Sequence, residues 1–182
     1  MKKFLIIFSA LVVAAMVAWF FARPSTPTPK NLGNVKTMLI TSSAFADGAI
    51  IPDQYGCKGE NINPPLELKD IPVGAKSLAL IMDDPDSPSG TWAHWLVWNI
   101  DPATLLLADK QVPAGANQGR NSFGNINYGG PCPGSGTHHY QFKIYALDTS
   151  LALTDGASEQ QLIDAMAGHI LAQGLLVGLY SH

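Results

Sequence analysis

Charge is scarce in this 182-residue chain, and basic charge is nowhere gathered. The 11 lysines and arginines are outnumbered by 14 acidic residues, for a net charge of −3. Nucleic-acid binding is therefore not expected, because a phosphate backbone is held by grouped cations. Cysteine is almost missing too: Cys57 and Cys132 can make at most one disulfide. There is no internal repeat and no heptad pattern, so neither a solenoid nor a coiled coil is in prospect. Ser87, Ser89, Ser122 and Ser135 all lie in loops, and none sits in a G-x-S-x-G elbow. Serine nucleophilic catalysis thus has no support.

What is present begins with a targeting segment. Lys2 and Lys3 precede an unbroken apolar or small-residue run from Phe4 to Ala22. That length is near the roughly 20 residues a bilayer crossing needs. Trp19-Phe20-Phe21 puts bulk where a signal peptidase wants small residues, and suits an interfacial belt. Residues 1–22 read as an uncleaved signal anchor, with a cleaved signal peptide as the alternative. The lysines stay inside, so the remainder is expected to be exported. In a bacterium that is a periplasmic or outer-surface domain tethered to the inner membrane by residues 4–22. Such a compartment permits a Cys57–Cys132 bridge; two buried free thiols are the other reading.

Residues 23–34 are a Pro/Thr linker, and the domain proper is expected over 35–182. The pattern predicts strands at 35–41 and 49–51, a long loop from Pro52 to Pro65, and a short strand at 66–68. Lys76–Met82 is apolar on both faces and reads as a central strand ending near Asp84 and Asp86. Trp92–Ile100 alternates, with Trp92, His94, Leu96 and Trp98 on one face and Ala93, Trp95, Val97 and Asn99 on the other. Ala114–Asn127 reads as a functional or mobile loop. Tyr140–Asp148 is a further strand, with His138 on the Tyr140 face. A helix is capped by Ser158 and Gln161, carries Leu162, Ile163, Met166, Ala167, Ile170 and Leu171 on one stripe, and ends at Gly174; a short strand over 175–180 follows. The class is mainly β, most simply a sandwich, with a C-terminal helix.

Two Gly/Pro/Asp/His segments carry the chemistry: I-M-D-D-P-D-S-P-S-G-T-W-A-H-W from Ile81, and Y-G-G-P-C-P-G-S-G-T-H-H-Y from Tyr128. They bring forward Asp84, Asp86, His94 and His138, with Tyr140 and the amides of Gly129 and Gly130 beside them. Two carboxylates and two imidazoles could ligate a metal, but D-P-D fixes no ligand geometry. Tandem glycines and histidines suit an anion, with an aspartate orienting a histidine or accepting from the ligand. The bland reading is turn chemistry and core histidines; His139 is expected to point outward. Cys132 could lie near His138, yet a disulfide would silence its thiol.

D-P-D-S-P with W-A-H-W, then G-G-P-C-P and G-T-H-H-Y, resembles the phosphatidylethanolamine-binding protein family, in particular its bacterial Raf kinase inhibitor-like branch. The likeness runs from about Met38 to Tyr180 and includes Y-G-C-K-G-E-N-I-N-P-P. The resemblance implies a sandwich of two antiparallel sheets with a small anion pocket at one end. The matching pocket positions are Asp84, Asp86, Pro88, His94, Gly129, Pro131, His138 and Tyr140, beside which Gly130 stays a candidate through its amide. It also implies a pairing of Cys57 with Cys132. In the family's H-R-Y block the arginine is replaced by His139, which removes a fixed charge from the rim. The expected function is a non-enzymatic binder of phosphate-bearing ligands or phospholipid head groups, with neither cofactor nor metal. A protease- or kinase-inhibiting interaction protein, acting through its loops on a protein partner, is the alternative.

Overall fold

The computed structural model describes residues 35–182, so the expected signal anchor and linker lie outside the described residues. The organising strand is β5, Ser77–Asp84, buried at every position. It pairs antiparallel with β6 (Trp92–Ile100) on one edge and β9 (Thr137–Leu147) on the other. Its faces serve two cores. Leu78, Leu80 and Met82 join Trp95, Val97, Phe142 and Ile144 in the main core. Ala79 and Ile81 lie with Leu96, Trp98, Leu162 and Met166 in a second. A strand covered on both sides needs apolar residues at every position, which is why Lys76–Met82 shows no alternation. Each fully buried Leu or Phe in these layers contributes about 1.5–3 kcal/mol of transfer free energy.

The large sheet has seven strands. Beyond β9 lies β10 (Ile170–Ser181), whose outer edge takes β1 (Lys36–Thr37) and β3 (Ala49–Ile50) in two short parallel pairings. Beyond β6 lies β8, Asn117–Gln118. The other sheet orders β2 (Leu39–Thr41), β4 (Leu66–Lys69) and β7 (Leu106–Leu107). It covers the main core, while helix α1 (Glu159–Met166) covers the opposite face of the large sheet. Among the described residues no helix is long and apolar enough to cross a membrane.

Three expectations are corrected. The single strand over 35–41 is two strands in two sheets. The Met38 N–H still donates to Gln173 O at 2.7 Å, and the next residues leave β10 for β4. The helix is shorter than its apolar stripe. It starts at the expected capping box but stops at Met166, and Gly168, at φ +84°, turns the chain. Gly174 is an inward position of β10, where a Cβ would crowd Met38 O and Ile144. Ile170 and Leu171 therefore belong to a 12-residue strand rather than to the helix.

The third correction concerns β6. Register along β5 runs Met82↔Trp95 and then Asp83↔Ala93, so His94 is an extra residue at a bulge. Ala93 consequently joins Leu96 and Trp98 in the helix-side core, while Trp95 and Val97 enter the main core. A second irregularity at Asn99, φ +57°, restores Ile100 to the main core.

Candidate functional site

The site forms where β5 ends and β6 and β9 begin. Asp84 is the last residue of β5, and Pro85 ends the ladder behind it. Its Oδ1 accepts the Asp86 N–H at 2.8 Å, an aspartate turn that bends the chain away. Its Oδ2 accepts from His138 Nδ1 at 2.7 Å. Both side chains are enclosed, 5% and 14% exposed. A carboxylate only accepts here, so Nδ1 carries hydrogen and Nε2 is the His138 atom left for a ligand.

Adjacent residues of a strand face opposite ways, and His139 points outward. Its N–H and Nδ1 both donate to Asp86 Oδ2, at 2.8 and 2.7 Å. The two bonds, the backbone one foremost, hold the Asp86 carboxyl below its ordinary range. Asp86 thus pairs with an exposed histidine instead of turning into the cleft.

His94 enters from the bulge of β6 and is 2% exposed. Its Nδ1 donates to Gly129 O at 2.6 Å. The ring meets Phe123 and Tyr140 edge-on, at centroid distances of 5.3 and 5.1 Å. Burial pushes its pKa below the usual histidine value, against the opposing pull of the Gly129 carbonyl and Asp84. A neutral ring with hydrogen on Nδ1 leaves Nε2 as a lone-pair acceptor.

The remaining wall is the Tyr128–Gly134 loop, tied to the 55–61 loop at four points. These are the Cys57–Cys132 disulfide, Cys57 N–H to Pro131 O at 3.0 Å, Gly130 N–H to Asn61 Oδ1 at 2.6 Å and Tyr128 Oη–H to Tyr55 O at 2.8 Å. The bridge decides between the two readings of the cysteines. These ties also correct the expected role of the glycine amides. The Gly129 N–H donates to His94 O at 3.0 Å and the Gly130 N–H to Asn61, so neither is free for an anion. Glycine is required at 130 for space: a Cβ would overlap Tyr55 O and Asn61 Oδ1. Tyr140 is fully buried behind the site with its ring edge-on to His94, and its hydroxyl has no hydrogen-bond partner among the described residues. Burial first, and the Asp84 charge second, hold that phenol protonated well above its normal range.

The result is a cleft of about 170 Å³ whose polar side chains are Asp84, His94, His138 and Ser87. Pro88 lines it as well; Asp86, Gly129, Gly130, Pro131 and Tyr140 do not. Composition did not single out its apolar rim of Trp92, Phe123 and Pro133. Only Trp92 left a signal, by its parity with His94. Phe123 is brought in by the 114–127 loop, which is ordered by Asn121. That buried amide donates to Asn127 O and accepts from Phe123 N–H and Asn125 N–H. Among the described residues, no three His, Cys, Asp or Glu side chains are placed to share a metal ion.

A two-sheet β domain with an acid–imidazole cleft at its strand ends defines a class of small sandwich proteins. The profile described as Phosphatidylethanolamine-binding protein matches residues 41–181. The chain belongs to that family. A UPF0098 protein of Pyrococcus horikoshii is 48% identical over 156 residues, covering 81% of this chain and 79% of that one. A Mycobacterium tuberculosis protein named as lipoprotein LppC is 44% identical over 158 residues, 86% and 76% of the two chains. The crystal structure of the homologue CT736 of Chlamydia trachomatis superposes with a TM-score of 0.77 at 43% identity, over 81% of this chain and 99% of that one. Escherichia coli YbcL gives 0.75 at 31% identity, over 80% and 98%.

Proposed function

We propose that this protein is a non-enzymatic binding protein whose cleft holds a small phosphate-bearing ligand. The observation that carries the reading is the Asp84–His138 pair facing neutral His94 across a cleft of about 170 Å³ with an apolar rim. That volume is below the roughly 300–1,000 Å³ of pockets for drug-sized molecules and suits a small ligand. A protonated His138 ring donates through Nε2 to a phosphate oxygen while Asp84 fixes its orientation. Family membership supports binding over turnover, as does the absence, among the described residues, of a serine or cysteine hydrogen-bonded to the His138 ring. The named lipoprotein relative and the disulfide support an exported protein held at a membrane, which agrees with residues 4–22 as an anchor. Calorimetric titration with phosphoethanolamine tests the reading: saturable binding lost in His138→Ala is expected, and undiminished binding in that variant overturns it.

An interaction surface is the second reading, and the 114–127 loop favours it. Phe123 and Ile126 are 46% and 40% exposed beside the cleft. A protease or kinase-like partner held there should be lost from a pull-down with Phe123→Ser. Equal recovery by that variant would contradict this reading.

A further inference from the structure

The hydrogen-bond directions in the cleft constrain its ligand further, on the basis of the anion-pocket reading above. Gly129 O can only accept, so the Nδ1 of His94 holds the hydrogen and Nε2 of the neutral ring presents a lone pair. Asp84 adds a carboxylate. No lysine or arginine among the described residues lines the cleft, and the Gly129 and Gly130 amides are engaged elsewhere. The lining charge is therefore −1 from Asp84, brought to zero when His138 is protonated. A pocket for a dianion would carry surplus positive charge and donors only. This one has two acceptors, one donor at His138 Nε2 when that ring is protonated, and the Ser87 hydroxyl, which can act either way.

We infer that the cleft selects an oxyanion that is singly charged and still carries a hydrogen: a phosphomonoester monoanion whose P–OH donates to His94 Nε2 while another oxygen accepts from His138 Nε2. A phosphodiester has the same charge and shape at its core but no hydrogen to give, and sulfate lacks one as well. Either would set an oxygen lone pair against the His94 lone pair in a buried position, where an unmet acceptor is costly. The charged groups acting on His94 are Asp84 in the cleft and Asp83 on the opposite face of β5; His138 lines the same cleft, and the Tyr140 ring stands edge-on to His94. Burial favours the neutral His94 ring, which keeps Nε2 an acceptor at neutral pH. Free phosphomonoesters are thereby distinguished from the diester linkage of a glycerophospholipid.

The test is calorimetry on the full-length, oxidised chain in a maltoside detergent at about pH 6, where a phosphomonoester is near its second ionisation. The titrants are phosphoethanolamine, methyl phosphate, dimethyl phosphate and sulfate. The two monoesters should bind, with dimethyl phosphate and sulfate about ten- to a hundredfold weaker. Dimethyl phosphate or sulfate binding within about threefold of methyl phosphate would overturn this inference and leave the anion pocket standing. Silence from all four would remove the pocket and the inference together.

Discussion

His138 Nδ1 lies 2.7 Å from Asp84 Oδ2, and the other oxygen of the same carboxylate holds the Asp86 N–H at 2.8 Å. One side chain thus fixes both the turn that leaves β5 and the ring that enters from β9. Asp84→Asn removes the charged acceptor and also relieves repulsion of an anion. A hydrogen bond to a charged group is worth about 1.5–3 kcal/mol, whereas both Asp84 oxygens already face donors, so the loss should dominate. Phosphoethanolamine affinity at about pH 6 is expected to fall by roughly tenfold. Calorimetry showing tighter binding would mean that Asp84 acts mainly as a repulsive charge.

Asp86 gives the opposite expectation. Its carboxylate faces His139 and the solvent side, so Asp86→Asn should leave ligand affinity within about twofold. A loss as large as that of Asp84→Asn would place Asp86 in the cleft.

His94 should stay neutral to a lower pH than an exposed histidine. Burial lowers its folded pKa, so the unfolded chain binds more protons than the folded one just below the ordinary value near 6.5. Its contribution to stability is complete above that value and declines as pH falls toward the folded pKa. Nitrogen-15 spectra of the ring at about pH 7 should show hydrogen on Nδ1 alone. A doubly protonated ring at that pH contradicts the assigned acceptor role.

Much of the domain was legible because its patterns are local. Ser77–Asp84 shows its burial by lacking alternation, Thr137–Leu147 by keeping it, and Ser158 with Gln161 marks the helix start. β10 hid its length because two inward positions, Gly174 and Gly178, carry no apolar side chain and so erase the period-2 signal. The site was legible in its Asp and His residues but not in its wall. The bulge at His94 and the engagement of the Gly129 and Gly130 amides depend on pairing between distant segments, β6 with β5 and Gly130 with Asn61, 69 residues away.

That wall can be tested by itself. Gly130→Ala drives a methyl group into Tyr55 O and Asn61 Oδ1, and backbone cannot easily yield. Destabilisation of about 1–3 kcal/mol is expected in denaturant unfolding. Gly134→Ala meets nothing within 4 Å and should stay within about 0.5 kcal/mol of the parent. Equal effects from the two would mean that the loop is not held against residues 55–61.

Removing the bridge extends the same test. The Cys57–Cys132 disulfide closes a sequence separation of 75 and ties the cleft wall to the 3-10 turn at Asp53–Tyr55. Replacing both cysteines by alanine should cost roughly 2–5 kcal/mol in chemical unfolding. Weaker phosphoethanolamine binding should accompany it; unchanged affinity would show that the wall is held without the bridge.

The central claim is that His94 and His138 together contact a phosphate-bearing ligand. The most direct measurement follows the ring resonances of the five histidines by NMR as phosphoethanolamine is added, with His138→Ala in parallel. The account predicts saturable shifts at His94 and His138, little change at His169 and His182, and no saturable shift of His94 in the variant. Shifts spread evenly over all five rings, or none at His94 and His138, would contradict it.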